Sequence, residues 1–333
     1  MNIGLFEMST GSFPNLALMK LSAWHKAQGD SVEFVEAPIK HYDRIYVSKV
    51  FGDEYEQMPD EFFNADEVIF GGTGFAITVE NGKEVFHKDK HSDLPAEIEH
   101  IYPDYSLYPD LCKNTAYGFL TRGCPNNCDF CLVSKKEGMV STKVAALSEW
   151  WNGQRNIVLL DPNILACRDR KELLQQLIDS QARVDFSQGL DARFITPEIA
   201  EMLAQIKTKM WHFAFDFMKN EGRIIAGLQT FVDIVKPDSR KAIVYMLTNF
   251  DTTFAEDWYR LTKIRELGLT PDVRIYRKAS LPRRHILRDL QRWCNNRFFY
   301  QAVEFWEWMP RADCWMIKGT YPELYREVML SGK

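Results

Sequence analysis

The stretch Leu120-Thr121-Arg122-Gly123-Cys124-Pro125-Asn126-Asn127-Cys128-Asp129-Phe130-Cys131 follows directly on residues 116–121, whose apolar pattern reads as a β-strand. Its cysteines are spaced C-x3-C-x2-C. Three thiolates this close on one loop can hold three corners of a cubane iron–sulfur cluster, sulfur-rich ligation suiting iron. The fourth iron is left without a protein ligand, and an open position is what a catalytic metal site needs. A zinc site would want a fourth ligand at short spacing, yet the nearest histidine in sequence is His100. A redox pair made of Cys128 and Cys131 would leave Cys124 unexplained and would normally open a helix in a thioredoxin-like unit.

Outward from this loop the sequence alternates strand and helix. Residues 116–121, 156–160, 184–187, 211–215, 242–247 and 273–276 read as strands. Helical patterns are expected near 141–152, 169–180, 197–208, 219–236, 253–267 and 282–297. Eight such units would close a full (β/α) barrel. Six predict an α/β fold of partial (β/α)6 TIM type, an open barrel whose loops at the C-terminal ends of the strands converge on one face. The remainder, 298–333, is dense in aromatics (Phe298, Phe299, Tyr300, Phe305, Trp306, Trp308, Trp315) and is expected to cap a barrel end rather than stack bases.

The chain before the barrel reads differently. Residues 3–6, 32–35, 45–50 and 67–70 are expected strands, with a turn through Thr10-Gly11-Ser12 and a helix over 15–28 ended by Gly29. The fourth strand runs into Gly71-Gly72-Thr73-Gly74, a turn that either lets a ligand approach the backbone or simply closes a tight βα connection. This predicts a small Rossmann-like parallel sheet, with residues 75–115 as an extended connector. Charge follows the same division. Residues 1–110 hold 8 Lys+Arg against 20 Asp+Glu, a net of −12, whereas 111–333 hold 33 against 26, a net of +7. Three regions are therefore expected: 1–110, the barrel core 111–297, and the tail 298–333.

The overall net charge of −5 gives no global sign of a nucleic-acid binder. No run approaches the roughly 18 apolar residues that span a bilayer, and Met1 to Glu7 lack the pattern of a signal peptide. A cytoplasmic protein without a membrane partner is expected. Cys112, Cys167, Cys294 and Cys314 lack the C-x2-C spacing of a second cluster and are read as small buried hydrophobes. His212, between Trp211 and Phe213, reads as a core or barrel-wall histidine. Residues 271–300 carry 8 Lys+Arg against 2 Asp+Glu, with Arg283, Arg284, Arg288 and Arg292 expected on one helix; a solvated or ion-paired face is preferred to a phosphate contact.

The cysteine loop and the six units around it resemble the radical S-adenosylmethionine (SAM) superfamily over roughly residues 112–297. That resemblance implies that Cys124, Cys128 and Cys131 ligate a 4Fe-4S cluster whose free iron is chelated by SAM. It also implies that an electron from the cluster cleaves SAM to methionine and a 5′-deoxyadenosyl radical, which abstracts hydrogen from a substrate. By the same resemblance Phe130 lies beside the adenine, and the remaining SAM contacts come from the ends of later strands. Asp161 and Asn163 stand where many members carry a glycine-rich motif, from which Leu160-Asp161-Pro162-Asn163 departs. Gln188 and Arg193, in Ser187-Gln188-Gly189-Leu190-Asp191-Ala192-Arg193, and Asp216 are further SAM candidates. Asn249, Asp251 and Arg277 are candidate substrate contacts, and no catalytic residue is assigned.

Residues 14–23 and 69–74 resemble the cobalamin-binding domain that precedes the barrel in one branch of this superfamily. The Asp89-Lys90-His91 triplet lacks the glycine three residues on, where Leu94 stands, and it falls outside the expected βα loop. A degenerate, scaffolding B12-binding-like domain is therefore expected, with cobalamin not retained. The leading function is a radical SAM enzyme acting on an unidentified small molecule and fed by a flavodoxin- or ferredoxin-type electron donor. The alternatives are a cobalamin-dependent radical SAM methyltransferase and a catalytically silent iron–sulfur binding or sensing protein.

Overall fold

A computed structural model describes residues 1–8, 13–37, 39–52, 63–80, 83–90 and 93–311. Thr10, Gly11, Ser12, His91, Cys314 and Trp315 lie outside the described residues, as does the tail beyond residue 311. The chain divides into two compact units, Met1–Val184 and Asp185–Lys333. The boundary expected near residue 110 falls inside the first of these.

The first unit opens with β1 (Asn2–Glu7), α1 (Leu16–Ala27), β2 (Ser31–Phe34), β3 (Tyr42–Ser48) and β4 (Ala65–Gly71). These strands form the expected parallel sheet, in the order β2-β1-β3-β4. Local chemistry sets the helix ends. The Asn15 side chain accepts the Leu18 amide at 3.2 Å and caps α1, and Gly29 at φ 86° lets the chain turn off its C-terminus. Ile3, Leu5, Leu18 and Leu21 bury the face between helix and sheet, while Ile45, Val47 and Phe63 bury the other.

The segment read as an extended connector carries more structure than its prolines suggest. It contains an antiparallel hairpin, β5 (Ile77–Glu80) and β6 (Lys83–Phe86), and two single-turn helices, α2 (Ala96–Glu99) and α3 (Pro109–Cys112). Pro95 and Pro109 start those helices. The sequence signal for the hairpin is Asn81-Gly82 between two alternating runs.

The first unit continues through β7 (Thr115–Gly118), β8 (Thr121–Arg122), α4 (Val133–Glu137), β9 (Thr142–Lys143), β10 (Asn156–Leu159), α5 (Arg170–Ser180) and β11 (Arg183–Phe186), which crosses the division. The order of this second sheet is β11-β10-β7, with β10 parallel to β7. The helix expected over 141–152 is absent. Thr142–Lys143 instead pairs antiparallel with Thr121–Arg122, and only a 3-10 turn forms at Leu147–Glu149.

The second unit holds α6 (Pro197–Gln205), β12 (Trp211–Ala214), α7 (Glu221–Val235), β13 (Ala242–Thr248), α8 (Phe254–Glu266), β14 (Thr270–Ile275), α9 (Ile286–Cys294), α10 (Arg297–Ala302) and α11 (Phe305–Arg311). Strands β12, β13 and β14 form a parallel sheet in sequence order. Thr196 caps α6 ahead of Pro197, and Thr253 with Glu256 forms a capping box on α8. Trp211 and Phe213 on β12, Phe215 just beyond it, and Ala242, Val244 and Met246 on β13 are buried on the helix-covered face. Of the described tail aromatics Phe298 is exposed, whereas Phe305 and Trp308 are buried, with Phe305 packing 5.7 Å from Trp258 of α8 and 5.5 Å from Trp293 of α9. The fold of the described residues is thus mixed α/β, with several parallel strand pairings.

Candidate functional site

The cysteine loop begins where β7 ends, and a buried carboxylate holds its root. Asp161, just beyond β10, accepts the backbone N–H of Leu120 at 2.8 Å and that of Thr121 at 2.7 Å, and the Thr121 hydroxyl at 2.6 Å. Both carboxylate oxygens are thereby engaged. Burial is the largest influence on this group, and although the three donors oppose it, the carboxyl is pushed up to about 7.

A second carboxylate takes over one residue later. Glu137, in the last turn of α4, accepts the Gly123 N–H and the Arg122 guanidinium, each at 3.2 Å. Arg122 also reaches Glu99 at 3.3 Å, which pairs with the buried Lys20 at 2.9 Å. Gly123 is required here. Its φ is 84°, and a Cβ would lie 2.2 Å from the Val140 carbonyl oxygen.

From there the Cys124 N–H donates to the Gly138 carbonyl at 3.1 Å and the Cys131 N–H to the Cys128 carbonyl at 2.9 Å. The Ser134 hydroxyl donates to the Asn127 side chain at 3.1 Å. Cys124, Cys128 and Cys131 are in no disulfide and are all partly exposed, in contrast to the buried Cys112, Cys167 and Cys294. The Asn163 amide, 3% exposed, points its N–H at Cys124 Sγ from 3.6 Å, while its Oδ1 caps the turn at Ala166. Phe130 is half-buried on the same loop.

Among the described residues, no group of three or more His, Cys, Asp or Glu side chains is arranged to hold a metal ion. The three thiols share one loop without being gathered round a single point. Their donor chemistry fits an iron–sulfur group, and the Asn163 N–H aimed at sulfur is the kind of contact that tunes such a group.

The other sequence candidates lie in the second unit. Gln188 is exposed. Arg193 forms a bidentate pair with Asp191, at 2.8 and 2.7 Å, at the entrance to α6. Asp216 accepts the Leu247 N–H at 2.8 Å, and burial raises its carboxyl above the ordinary value. The fully buried Arg260, which the sequence reading missed, clamps this edge by donating to the carbonyls of Phe215 and Leu247 and pairing with Asp257 at 2.5 Å. Asn249, at φ 62°, donates its amide to the Tyr276 carbonyl at 2.9 Å, and the Arg277 guanidinium lies 5.1 Å from the Tyr276 ring. Asp216, Asn249 and Arg277 thus share the C-terminal edge of the β12-β13-β14 sheet, with Asp251 exposed nearby in sequence. Arg288 caps carbonyls of Lys278 and Leu281, and Arg292 lies over Trp308, so these members of the basic cluster near α9 are engaged in packing.

No protein-family model matches this chain, and no curated protein matches it. No helix among the described residues is long and apolar enough to cross a membrane.

Proposed function

We propose that this chain is a radical SAM enzyme acting on a small molecule. The observation that carries the reading is the C-x3-C-x2-C loop at the end of β7, with its root pinned by Asp161 and Glu137 and its thiols left partly exposed. When bound, a 4Fe-4S cluster supplies the electron that cleaves SAM reductively and so generates the radical that takes hydrogen from substrate. The chain's own residues divide the remaining work. Cys124, Cys128 and Cys131 provide the thiolates. Asn163 directs its amide at Cys124, and Asp161 fixes the loop rather than offering a free carboxylate to the SAM amine, since both its oxygens are occupied. Arg193 reaches a methionyl carboxylate only by exchanging its Asp191 partner, a trade of one bidentate carboxylate for another.

Corrinoid chemistry draws less support. Gly72 and Gly74, in the turn where a ligand would approach the backbone, face the chain itself: a Cβ on either would lie 2.3 Å from the carbonyl oxygen of Lys49 or Phe51. This favours a scaffold role for the first sheet over the methyltransferase reading.

Anaerobic reconstitution tests the proposal. The protein is expected to hold about four irons and four sulfides. Reduced protein is expected to release 5′-deoxyadenosine from SAM. Replacing Cys124, Cys128 and Cys131 together by alanine removes both properties. Zinc alone in the purified protein, or a full cluster in the triple variant, defeats the reading. A cluster without 5′-deoxyadenosine would leave the iron–sulfur sensing protein.

A further inference from the structure

The helix of the first sheet reaches the cysteine loop through a run of charges. Lys20 stands in the second turn of α1 and is 8% exposed. Its ammonium meets Glu99 Oε1 at 2.9 Å, and the same oxygen accepts from the Arg122 guanidinium at 3.3 Å. Arg122 turns its other terminal nitrogen to Glu137 Oε1 at 3.2 Å, and Glu137 Oε2 accepts the Gly123 N–H at 3.2 Å. Four side chains of alternating sign therefore join α1 to the residue before Cys124, all inside the first unit.

Glu99 sits on α2, a single turn that is too short to hold its own shape. Ile98 packs that turn into the Leu18 and Leu21 cluster of α1, and Lys20 fixes the carboxylate beside it. Burial pulls the Lys20 amine below its ordinary value, with Glu99 the strongest influence opposing the shift. An apolar side chain of similar length would avoid that cost, so the charge contributes a position rather than stability. The Arg122 guanidinium lies 3.9 Å from the centre of the Phe119 ring, so an aromatic face and two carboxylates hold it together. The space among these elements, lined by Lys20, Glu99, Phe119, Glu149 and Trp150, is about 20 Å3, room for one water and for no ligand. What meets here is protein with protein.

We propose that Lys20 and Glu99 are positioning residues for the cysteine loop, acting through Arg122 and Glu137 on the Gly123 N–H. Gly123 turns the chain into Cys124, so the anchoring of its amide sets where the first thiolate is presented. The first sheet then does more than scaffold, because its helix fixes the root of the loop. The proposal rests on the radical SAM reading only for what the thiolates hold; the run of ion pairs and its hold on Gly123 need no cluster.

The test is hydrogen exchange at the Gly123 amide, followed by 15N NMR of full-length, cluster-free protein. Glu99→Gln and Lys20→Met are each expected to speed exchange about threefold or more, as loss of a partly exposed ion pair implies. Because Lys20 acts only through Glu99, the double variant exchanges no faster than Glu99→Gln alone. Lys20→Arg keeps the charge and holds the parental rate. Ile45→Val, a core change on the opposite face of the first sheet, lowers global stability and leaves Gly123 exchange parental. After anaerobic reconstitution, iron release to a chelator follows the same order of variants. Parental Gly123 exchange in folded Glu99→Gln and Lys20→Met, additive effects in the double variant, or an equal rise in Ile45→Val overturns the proposal. A parent that takes up no iron defeats the radical SAM reading and leaves the exchange rates to decide this one. A full cluster with Gly123 exchange insensitive to both variants defeats this one alone.

Discussion

The loop after β4 leaves a parallel strand directly and the loop after β7 leaves one through the short antiparallel β8, and both turn on a glycine in the left-handed region, Gly72 at φ 101° and Gly123 at φ 84°. Beyond the glycine they part. After Gly72 the chain coils at once into a 3-10 turn, Thr73–Ala76, in which Gly74 and Ala76 are buried, and the backbone of residues 49–51 fills the space against Gly72 and Gly74. After Gly123 the chain is held from outside by Asp161 and Glu137, and the thiols stay partly open. Strand ends in parallel sheets are where ligands bind. What each loop does with that position depends on whether the contacts that fix it consume the space or surround it.

Substituting the two glycines gives the largest effects and separates the loops. Alanine at either position must adopt a left-handed conformation and displace a carbonyl oxygen, a combined cost of about 3 kcal/mol. Gly123→Ala and Gly72→Ala should therefore lower the chemical-denaturation midpoint to a similar degree. Iron content should divide them, falling sharply in Gly123→Ala and holding in folded Gly72→Ala. Equal iron loss in both would show that the first loop also bears on the cluster.

Asp161 sharpens the contrast through pH. Its folded value of about 7 stands above the ordinary carboxyl value of 3.8, so the native state keeps a proton that the unfolded chain has released. Stability contributed by that retained proton is full at low pH and is lost as pH rises from about 4 to about 7, by up to about 4 kcal/mol if no other group intervenes. Asp161→Asn should flatten this slope and, by replacing one acceptor oxygen with a donor, cost about 2 kcal/mol at pH 5. Denaturant melts at pH 4.5, 6 and 7.5 measure both. An unchanged slope in the variant would place the titration elsewhere.

These two loops also mark what the sequence discloses. The helices over 169–180, 197–208, 219–236 and 253–267 were legible because each carries an apolar stripe, and two of them also carry a cap, Thr196-Pro197 and Thr253…Glu256. The cysteine loop was legible from spacing alone. The absent helix at 141–152 was not, because distant partners take its backbone and side chains. The Val144 N–H donates to the Leu120 carbonyl at 2.8 Å, the Leu147 N–H to the Gln176 side chain at 2.8 Å, and the Trp150 indole to the Phe119 carbonyl at 3.1 Å. Asp161 was singled out as a SAM contact, yet its partners lie 40 and 41 residues away, beyond the reach of any local pattern. Asn163 was singled out too, but its approach to Cys124 spans 39 residues.

Asn163→Asp makes a change aimed at the sulfur. The aspartate keeps the oxygen that caps Ala166 and replaces the N–H that points at Cys124 by a buried, unpartnered oxygen, so stability should fall by about 2 kcal/mol. The visible absorption of the reconstituted cluster should shift and its reduction potential fall, because a donor to sulfur stabilises the reduced state. A spectrum and potential identical to the parent would mean that the amide does not touch the cluster.

The smallest effect is expected where the first loop is offered the ligand its family resemblance suggests. A corrinoid needs a slot beside the sheet for its nucleotide tail, and here the candidate slot is lined by Gly72 and Gly74 already in contact with the backbone of residues 49–51. Opening it means separating the Lys49 carbonyl from the Gly74 N–H, now 2.8 Å apart, and the Gly71 carbonyl from the Lys49 N–H, now 3.0 Å apart. At the end of β1, Glu7 accepts the Tyr108 hydroxyl at 2.8 Å, and desolvation raises its carboxyl, so this end of the strand is occupied by the chain's own side chains as well. The net −12 of residues 1–110 adds a field that disfavours a phosphate-bearing tail, screened over about 8–10 Å at physiological salt. Equilibrium dialysis with hydroxocobalamin and methylcobalamin is therefore expected to show no saturable binding at micromolar concentrations, and the cluster spectrum should not change. One corrinoid bound per chain would mean that residues 49–51 can leave the glycine turn. The first loop would then be a ligand site like the second, and the methyltransferase reading would displace the one proposed.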